Sequence, residues 1–519
     1  MRPGERGFVR TLGQLAESKM ALVAICRRCK LSTRPLPRVT VAGYNLVGGP
    51  ERYEALRTLK SVTERGSPIT KGENKMQGRS LTRRAFIATS ATAIAAPYVR
   101  TAHAAGSLTI GMWDHWVPGA NEVQTAIIQE WAAAEKVEVT IDYITSQGNK
   151  LMLALAAEEM AKSGHDIMEF TNWEAAQHAD ALESTEDVMK QVLERNGPID
   201  PSVEYLGKWK GQWVTVPMTR GSLMMSVCSR FDLLKEHAGI DLQAMYPAGK
   251  DAAPEADKWT WDAVLVAAEK LQKAGFAFGI PLGVTTDSVL WTGGMFKAFG
   301  ADLIDAKGNV TAKTDAVRQA VDYGKRLAAF LPADAPSWDD ASNNKWLISG
   351  RGSLIFNPPS AWAVAKRDAP QVAEKCWTHG FPKGPAGRFN PMLPRLYGVW
   401  NFSKNKSAAK SLLLHLTSRQ AAARQVASSQ GYDLPPYTKF YDFKTWTDNG
   451  PPPGTLSHYP IKGGDQKSTI ACSPAPPRVA AQIFTQAIMP KMIVRHFQGE
   501  PMEKTLDWAS GELEGFSRT

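Results

Sequence analysis

The stretch Leu108 to Phe170, LTIGMWDHWVPGANEVQTAIIQEWAAAEKVEVTIDYITSQGNKLMLALAAEEMAKSGHDIMEF, decides the fold. It opens on Leu108-Thr109-Ile110-Gly111-Met112-Trp113, a short apolar run suited to a buried strand. From Asn121, Val123, Ile127, Ile128 and Trp131 recur at helical spacing and define one apolar face. Val137 to Tyr143 then alternates apolar and polar side chains, the period of a half-buried strand. Asn149 to Ser163 has a helical pattern, with Gly164 in the position where a left-handed residue stops a helix. Asp166-Ile167-Met168-Glu169-Phe170 supplies a third strand. The order β-α-β-α-β predicts a parallel sheet covered by helices, and so an α/β protein.

The mixture continues outward from this block. Thr260 is placed to cap a helix over Trp261–Ala274, stopped by Gly275. Phe278 to Val284 has strand composition. Asp315–Phe330, Ala408–Ser418 and Val479–Phe497 have helical spacing, and Gly352–Asn357 and Leu396–Asn401 read as short strands. Proline-rich breaks are expected at Pro332–Pro336, Pro382–Pro394, Pro435–Pro436 and Pro451–Pro453. No repeat of fixed period is present.

Composition bounds the function. The chain has 519 residues, 43% apolar and 22% charged, which is ordinary for a globular protein with more than one domain. Its net charge of +10 is unevenly distributed. Residues 1–104 hold 19 Lys/Arg and 6 Asp/Glu, leaving 42 basic and 45 acidic residues for the remainder. The positive excess therefore lies outside the globular part, and a nucleic-acid partner is not expected.

That basic segment has the parts of an export signal. After Met76 come Arg79 and Thr82-Arg83-Arg84-Ala85-Phe86-Ile87, then an Ala-rich stretch to Ala96 without charge, and Ala102-His103-Ala104 as a small-x-small cleavage site. Paired arginines before x-Phe-Ile resemble the twin-arginine signal. The apolar run is shorter than the roughly 20 residues that span a bilayer. Residues 76–104 are thus expected to be a signal peptide, with translation starting at Met76 and residues 1–75 absent from an exported, periplasmic protein. Cys26 and Cys29 form a C-x-x-C without a second pair, and no role is expected for them. Cys228, Cys376 and Cys472 are too few for a disulfide scaffold, although they allow one bridge.

Several further stretches carry a resemblance. They are Gly164–Phe170, Gly207-Lys208-Trp209-Lys210-Gly211-Gln212-Trp213-Val214-Thr215-Val216-Pro217, Phe231–Gly239 with Thr260-Trp261-Asp262, Phe299-Gly300-Ala301 with Asp305–Gly308, Ser349–Leu354, and Phe402–Ala409. In this order the chain resembles the family 1 extracellular solute-binding proteins, the group that includes maltose-type periplasmic binding proteins. The resemblance spans nearly all of residues 107–515. It implies a type II periplasmic binding protein fold: two α/β lobes, a hinge and a ligand cleft that closes on the solute. The first lobe would comprise residues 105–219 and 382–432, the second 220–381 and 433–519. It further implies a monomeric, non-enzymatic capture component that delivers a small polar solute to the permease subunits of an ABC importer, with no cofactor and no metal.

Sixteen tryptophans, all after residue 112, favour a sugar, oligosaccharide or polyol, because such ligands need aromatic faces ringed by hydrogen-bonding groups. Asp114 and Trp116 follow the first strand, and Asn172 and Trp173 follow the third, where α/β sheets place ligands. Trp291, Asn357, Trp362 and Tyr397 stand at positions that resemble cleft contributors in the family, and Arg220 is suited to hydroxyls or a carboxylate. Trp209, Trp261 and Trp508 are assigned to structure, and His115 to packing. Asp287 either lines the cleft or caps a helix.

Other chemistries fit less well. Gly463-Gly464-Asp465-Gln466-Lys467-Ser468 is not a phosphate-binding loop, and the eight histidines after His103 form no metal pair. Tyr432 and Tyr437 lack an adjacent-tyrosine pattern for ferric iron. The alternative from another class is a periplasmic glycosidase or lyase, which needs two carboxylates across a sugar site.

Overall fold

A computed structural model of the chain describes residues 106–448 and 465–518. The expected upstream segment and export signal, Cys26, Cys29, Pro451–Pro453 and Gly463-Gly464 lie outside the described residues. No helix among the described residues is long and apolar enough to cross a membrane.

The opening block folds as its periodicity predicts. Strand β1 (Ser107–Trp113) pairs in parallel with β2 (Glu138–Ile144), in register from Ser107 opposite Glu138 to Trp113 opposite Ile144. On its other side β1 pairs in parallel with β3 (Ile167–Thr171). The helix Ala120–Glu135 connects β1 to β2 and buries Ile127, Ile128 and Trp131. The helix Lys150–Ala161 connects β2 to β3, but it ends on Lys162 in the left-handed conformation (φ 47°), two residues before the expected glycine stop. Gly164 is needed for another reason. A Cβ there would fall 2.4 Å from the Glu158 side chain, which hydrogen-bonds the His165 N–H at 3.0 Å.

After a small hairpin of β4 (Lys208–Trp209) and β5 (Gln212–Trp213), strand β6 (Val216–Met224) enters the large sheet. The long strand β11 (Gly387–Val399) lies antiparallel to both β3 and β6. It is further bounded by β10 (Lys383–Gly384), antiparallel, and β12 (Gln466–Thr469), parallel. These make a seven-stranded mixed sheet, β10-β11-β3-β1-β2, with β6 and β12 also on β11. A second sheet is antiparallel, with β7 (Val227–Arg230) between β8 (Leu354–Phe356) and β9 (Cys376–His379).

Three other sequence expectations are corrected. Pro382–Pro394 is largely strand rather than a break: the register of β11 against β6 shifts between Leu393 and Arg395, and Pro394 sits in that irregularity where no ladder N–H is required. Phe278–Val284 is not a strand. Gly279 donates to Leu354 O (2.7 Å) and Leu282 to Ala335 O (3.0 Å), while Pro281 has no N–H to donate. Val479–Phe497 is two helices, Pro477–Thr485 and Ile488–Phe497, separated by Ala487 at φ 51°. In one continuous helix the Pro490 ring would collide with the Gln486 carbonyl, whereas in the first turn of a new helix it is tolerated.

Thr260 caps the helix Trp261–Lys273 as predicted, its side chain accepting the Ala263 N–H at 3.1 Å. Cys228, Cys376 and Cys472 are free thiols. The aromatic core between the second sheet and its helices holds Trp261, Trp291, Phe356 and Phe381, with Trp291 stacked on Phe356 at 5.8 Å.

Candidate functional site

The strand ends of the large sheet and the helices beside the second sheet flank a cleft that is partly open to solvent. On the large-sheet side Trp116 follows β1, Ser146 and Asn149 follow β2, and Thr171 and Glu174 sit at and after the end of β3. Leu393 and Arg395 come from β11, and Tyr432 from the segment beyond. Opposite stand Thr286 and Asp287 from the first turn of helix Thr286–Ala298, then Asp340, Asn344, Asn357, Pro358 and Ser360.

Local chemistry fixes these groups. The His115 Nδ1 accepts the Val117 N–H (2.9 Å), so the ring proton is on Nε2, which donates to Asp433 Oδ1 at 2.9 Å. Asp433 also accepts the Gly221 N–H at 2.6 Å. The turn carrying Trp116 is thereby tied to two distant segments, and Trp116 packs edge-on against Trp113 at 6.4 Å. Below it Glu169, fully buried, accepts the Trp113 N–H (3.0 Å) and lies 3.4 Å from Arg220 Nε and 3.6 Å from Arg395 Nε. The Arg395 guanidinium carbon sits 4.1 Å from the Trp113 ring centroid, a cation–π contact.

Across the cleft the amides are already oriented. Asn357 Nδ2 donates to Asn344 Oδ1 (2.7 Å) and Ser360 Oγ (2.8 Å). Asn343 Nδ2 donates to Asp287 Oδ2 at 2.8 Å. Thr285, rather than Asp287, caps the helix that follows, accepting the Ser288 N–H at 3.0 Å. Asp287 thus faces the cleft. Burial raises its carboxyl well above the usual carboxylate range, and the nearby Asp340 carboxyl raises it further. Burial raises Asp340 too, against the pull of the Asp287 and Thr286 backbone N–H groups. Burial pushes Glu174 up to about 7, although the Thr171 N–H donates to it at 2.7 Å. Aromatic faces, preset amides and acceptor carboxyls in one cavity suit a ligand dense in hydroxyl donors.

The nine residues selected from sequence are placed as follows. Trp116 and Asn357 line the cleft. Asp114 is exposed and accepts a hydrogen bond from Asn121 Nδ2 at 2.8 Å. Asn172 and Trp173 form the buried connection after β3, donating to Met392 O (3.2 Å) and Ala471 O (2.7 Å). Arg220 is buried and donates to Trp113 O (2.6 Å) and Asn121 Oδ1 (2.9 Å). Trp291 donates to Pro281 O (2.8 Å) from within the core, Trp362 is buried under Lys366, and Tyr397 is buried on β11. Glu174, Asp340, Asn344, Arg395 and Tyr432 were not selected. Thr171-x-x-Glu174 directly after a strand, and Asp339-Asp340 followed by Asn343-Asn344 between proline breaks, were signals that could have marked some of them.

No curated protein matches this chain. Solved structures do. Maltose-bound MalE3 of T. maritima superposes with a TM-score of 0.63 at 19% identity, covering 78% of this chain and 99% of that one. An ABC transporter solute-binding protein of Thermotoga lettingae with bound α-D-tagatose has a TM-score of 0.63 at 17% identity, covering 80% and 100%. One from Agrobacterium vitis with bound D-mannitol has a TM-score of 0.58 at 18% identity, covering 79% and 97%. These establish the two-lobed α/β fold of periplasmic solute-binding proteins. Residues 119–423 match the family described as bacterial extracellular solute-binding protein, and the chain belongs to that family.

Proposed function

We propose that this chain captures a polyhydroxylated solute, a sugar, oligosaccharide or polyol, in the cleft and hands it to the permease of an ABC importer. The observation that carries this reading is the cleft lining itself: Trp116 and Tyr432 beside Asn344, Asn357 and Ser360, with acceptor carboxyls at both sides. Maltose, tagatose and mannitol in the structurally similar proteins support the solute class. The lobes are residues 105–219 with 382–432, and 220–381 with 433–519. Trp116, Glu174 and Arg395 then belong to one lobe and Asp287, Asp340 and Asn357 to the other, so solute contacts from both exist together only when the cleft is closed. The protein acts as a periplasmic monomer, exported by the twin-arginine signal at residues 76–104.

Of the residues selected from sequence, Trp116 and Asn357 contact the solute, Asn172, Trp173, Arg220, Trp291, Trp362 and Tyr397 support the cleft from behind, and exposed Asp114 holds the Asn121 amide. A thermal-shift screen of the secreted protein against sugars, polyols, polyamines and carboxylates tests the reading, because a ligand that binds only the folded state raises its stability. At least one sugar or polyol should raise the melting temperature; hits confined to the other classes would overturn the solute assignment. The carboxyls of Glu174, Asp287 and Asp340 favour a glycosidase as the second reading, since raised pKa values suit a general acid. Product formed from the bound sugar would establish it, and stoichiometric binding without product would exclude it.

A further inference from the structure

The cleft carries more carboxyl groups than basic side chains among the described residues. Among the described residues Arg395 is the one basic side chain that lines the cleft, and its Nε pairs downward with Glu169 at 3.6 Å. Beneath the cleft Glu169 and Asp433 face Arg220 and Arg395, two charges of each sign, so that buried set is internally neutral. Glu174 on one side and Asp287 and Asp340 on the other are left over. Among the described residues none of the three is in an ion pair with a basic side chain.

One polar atom at the cleft also lacks a partner: Asp340 Oδ1 is sealed from solvent and accepts no hydrogen bond from the described residues. Among the described residues no three acidic, histidine or cysteine side chains converge closely enough to hold a metal ion. A hydroxyl donates to a carboxylate but brings no charge, leaving a buried anion uncompensated. An ammonium brings both charge and three donors.

We propose that the solute is a polyol bearing a protonated amine, an amino sugar or its oligomer, with the ammonium between Asp287 and Asp340 and hydroxyls on Asn344, Asn357 and Ser360. Burial first, and then the neighbouring carboxyl (Asp340 at Asp287, Asp339 at Asp340), raises the proton affinity of these groups, and Arg395 only partly offsets it; a bound ammonium would add the missing positive charge. This rests on the capture reading above and narrows its ligand.

Isothermal titration calorimetry of the secreted protein near neutral pH tests it. The probes are D-glucosamine and its β-1,4 dimer and trimer, each against the hydroxyl counterpart (glucose, cellobiose, cellotriose) and the N-acetyl counterpart. In at least one series the amine should bind about tenfold or more tighter than both counterparts. Asp287→Asn and Asp340→Asn, each checked for folding by its melting temperature, should bring that ratio toward one. Wild-type protein supplies a readout independent of any variant: above the pKa of the amine itself the preference should vanish, because the ligand is then neutral. A hydroxyl or acetamido counterpart that binds as tightly as the amine overturns the proposal while leaving sugar capture intact. No binding by any probe also overturns it, and the broad thermal-shift screen then decides separately whether capture of another sugar or polyol stands.

Discussion

Trp116 and His165 show how differently two residues of one sheet serve the molecule. Trp116 offers its ring to the cleft, and its turn is held by the His115–Asp433 bond rather than by the ring's own packing. Trp116→Ala should therefore weaken binding of the identified solute about 3- to 10-fold, the worth of one aromatic face, with little change in melting temperature, as calorimetry and thermal unfolding would report. His165 lies at the other end of the strands, its Nδ1 2.6 Å from Glu158 and its Nε2 2.9 Å from Asp142. Burial alone would lower its pKa, but the two carboxylates outweigh burial and raise it. The charged pairs thus stabilise fully below the ordinary histidine value of 6.5, and that contribution is lost as pH rises through the elevated folded value. His165→Gln should cost about 1–3 kcal/mol in acid and much less in alkali, as denaturant melts across that range would show.

Among the elements, the helix Thr286–Ala298 is the most constrained. It delivers Asp287 to the cleft while nearly all its other residues are buried. Two glycines permit this. A Cβ at Gly293 would fall 2.6 Å from Ala471 Cβ, and one at Gly294 would fall 2.9 Å from Pro391 Cγ on β11. Gly294→Val should push the helix off the sheet, costing about 1–3 kcal/mol from overpacking and weakening solute binding together with stability. Removing the cap of the neighbouring helix by Thr260→Ala should cost about 1 kcal/mol and leave solute affinity unchanged, since that cap is remote from the cleft lining. Comparing the two variants by thermal unfolding and calorimetry separates a site-bearing element from a merely stabilising one.

At the scale of the whole molecule, the cleft is assembled from residues as distant in sequence as Trp116 and Tyr432, so solute and fold stabilise each other. Solute at about 100 times its dissociation constant should add about 2.7 kcal/mol to unfolding stability. The melting temperature should rise further with each increase in concentration, and a flat response would show that the ligand does not bind the native cleft.

The sequence by itself determined the α/β class, the three parallel strands from Ser107 to Thr171, most helices and the family pattern. These depend on periodicities between residues two to four apart, which survive without knowledge of the fold. It also marked Trp116, just beyond the end of the first strand, and Asn357, by its resemblance to a cleft position of the family. Only the tertiary structure decided the rest of the cleft. A tryptophan carries the same apolar bulk whether it packs in the core, as Trp291 and Trp362 do, or faces a ligand, so its abundance could not say which rings were free. The carboxyls and Arg395 acquire their meaning from neighbours brought in by β11 and by the helices opposite. An acidic residue in a line of sequence looks solvated until the fold withdraws water from it.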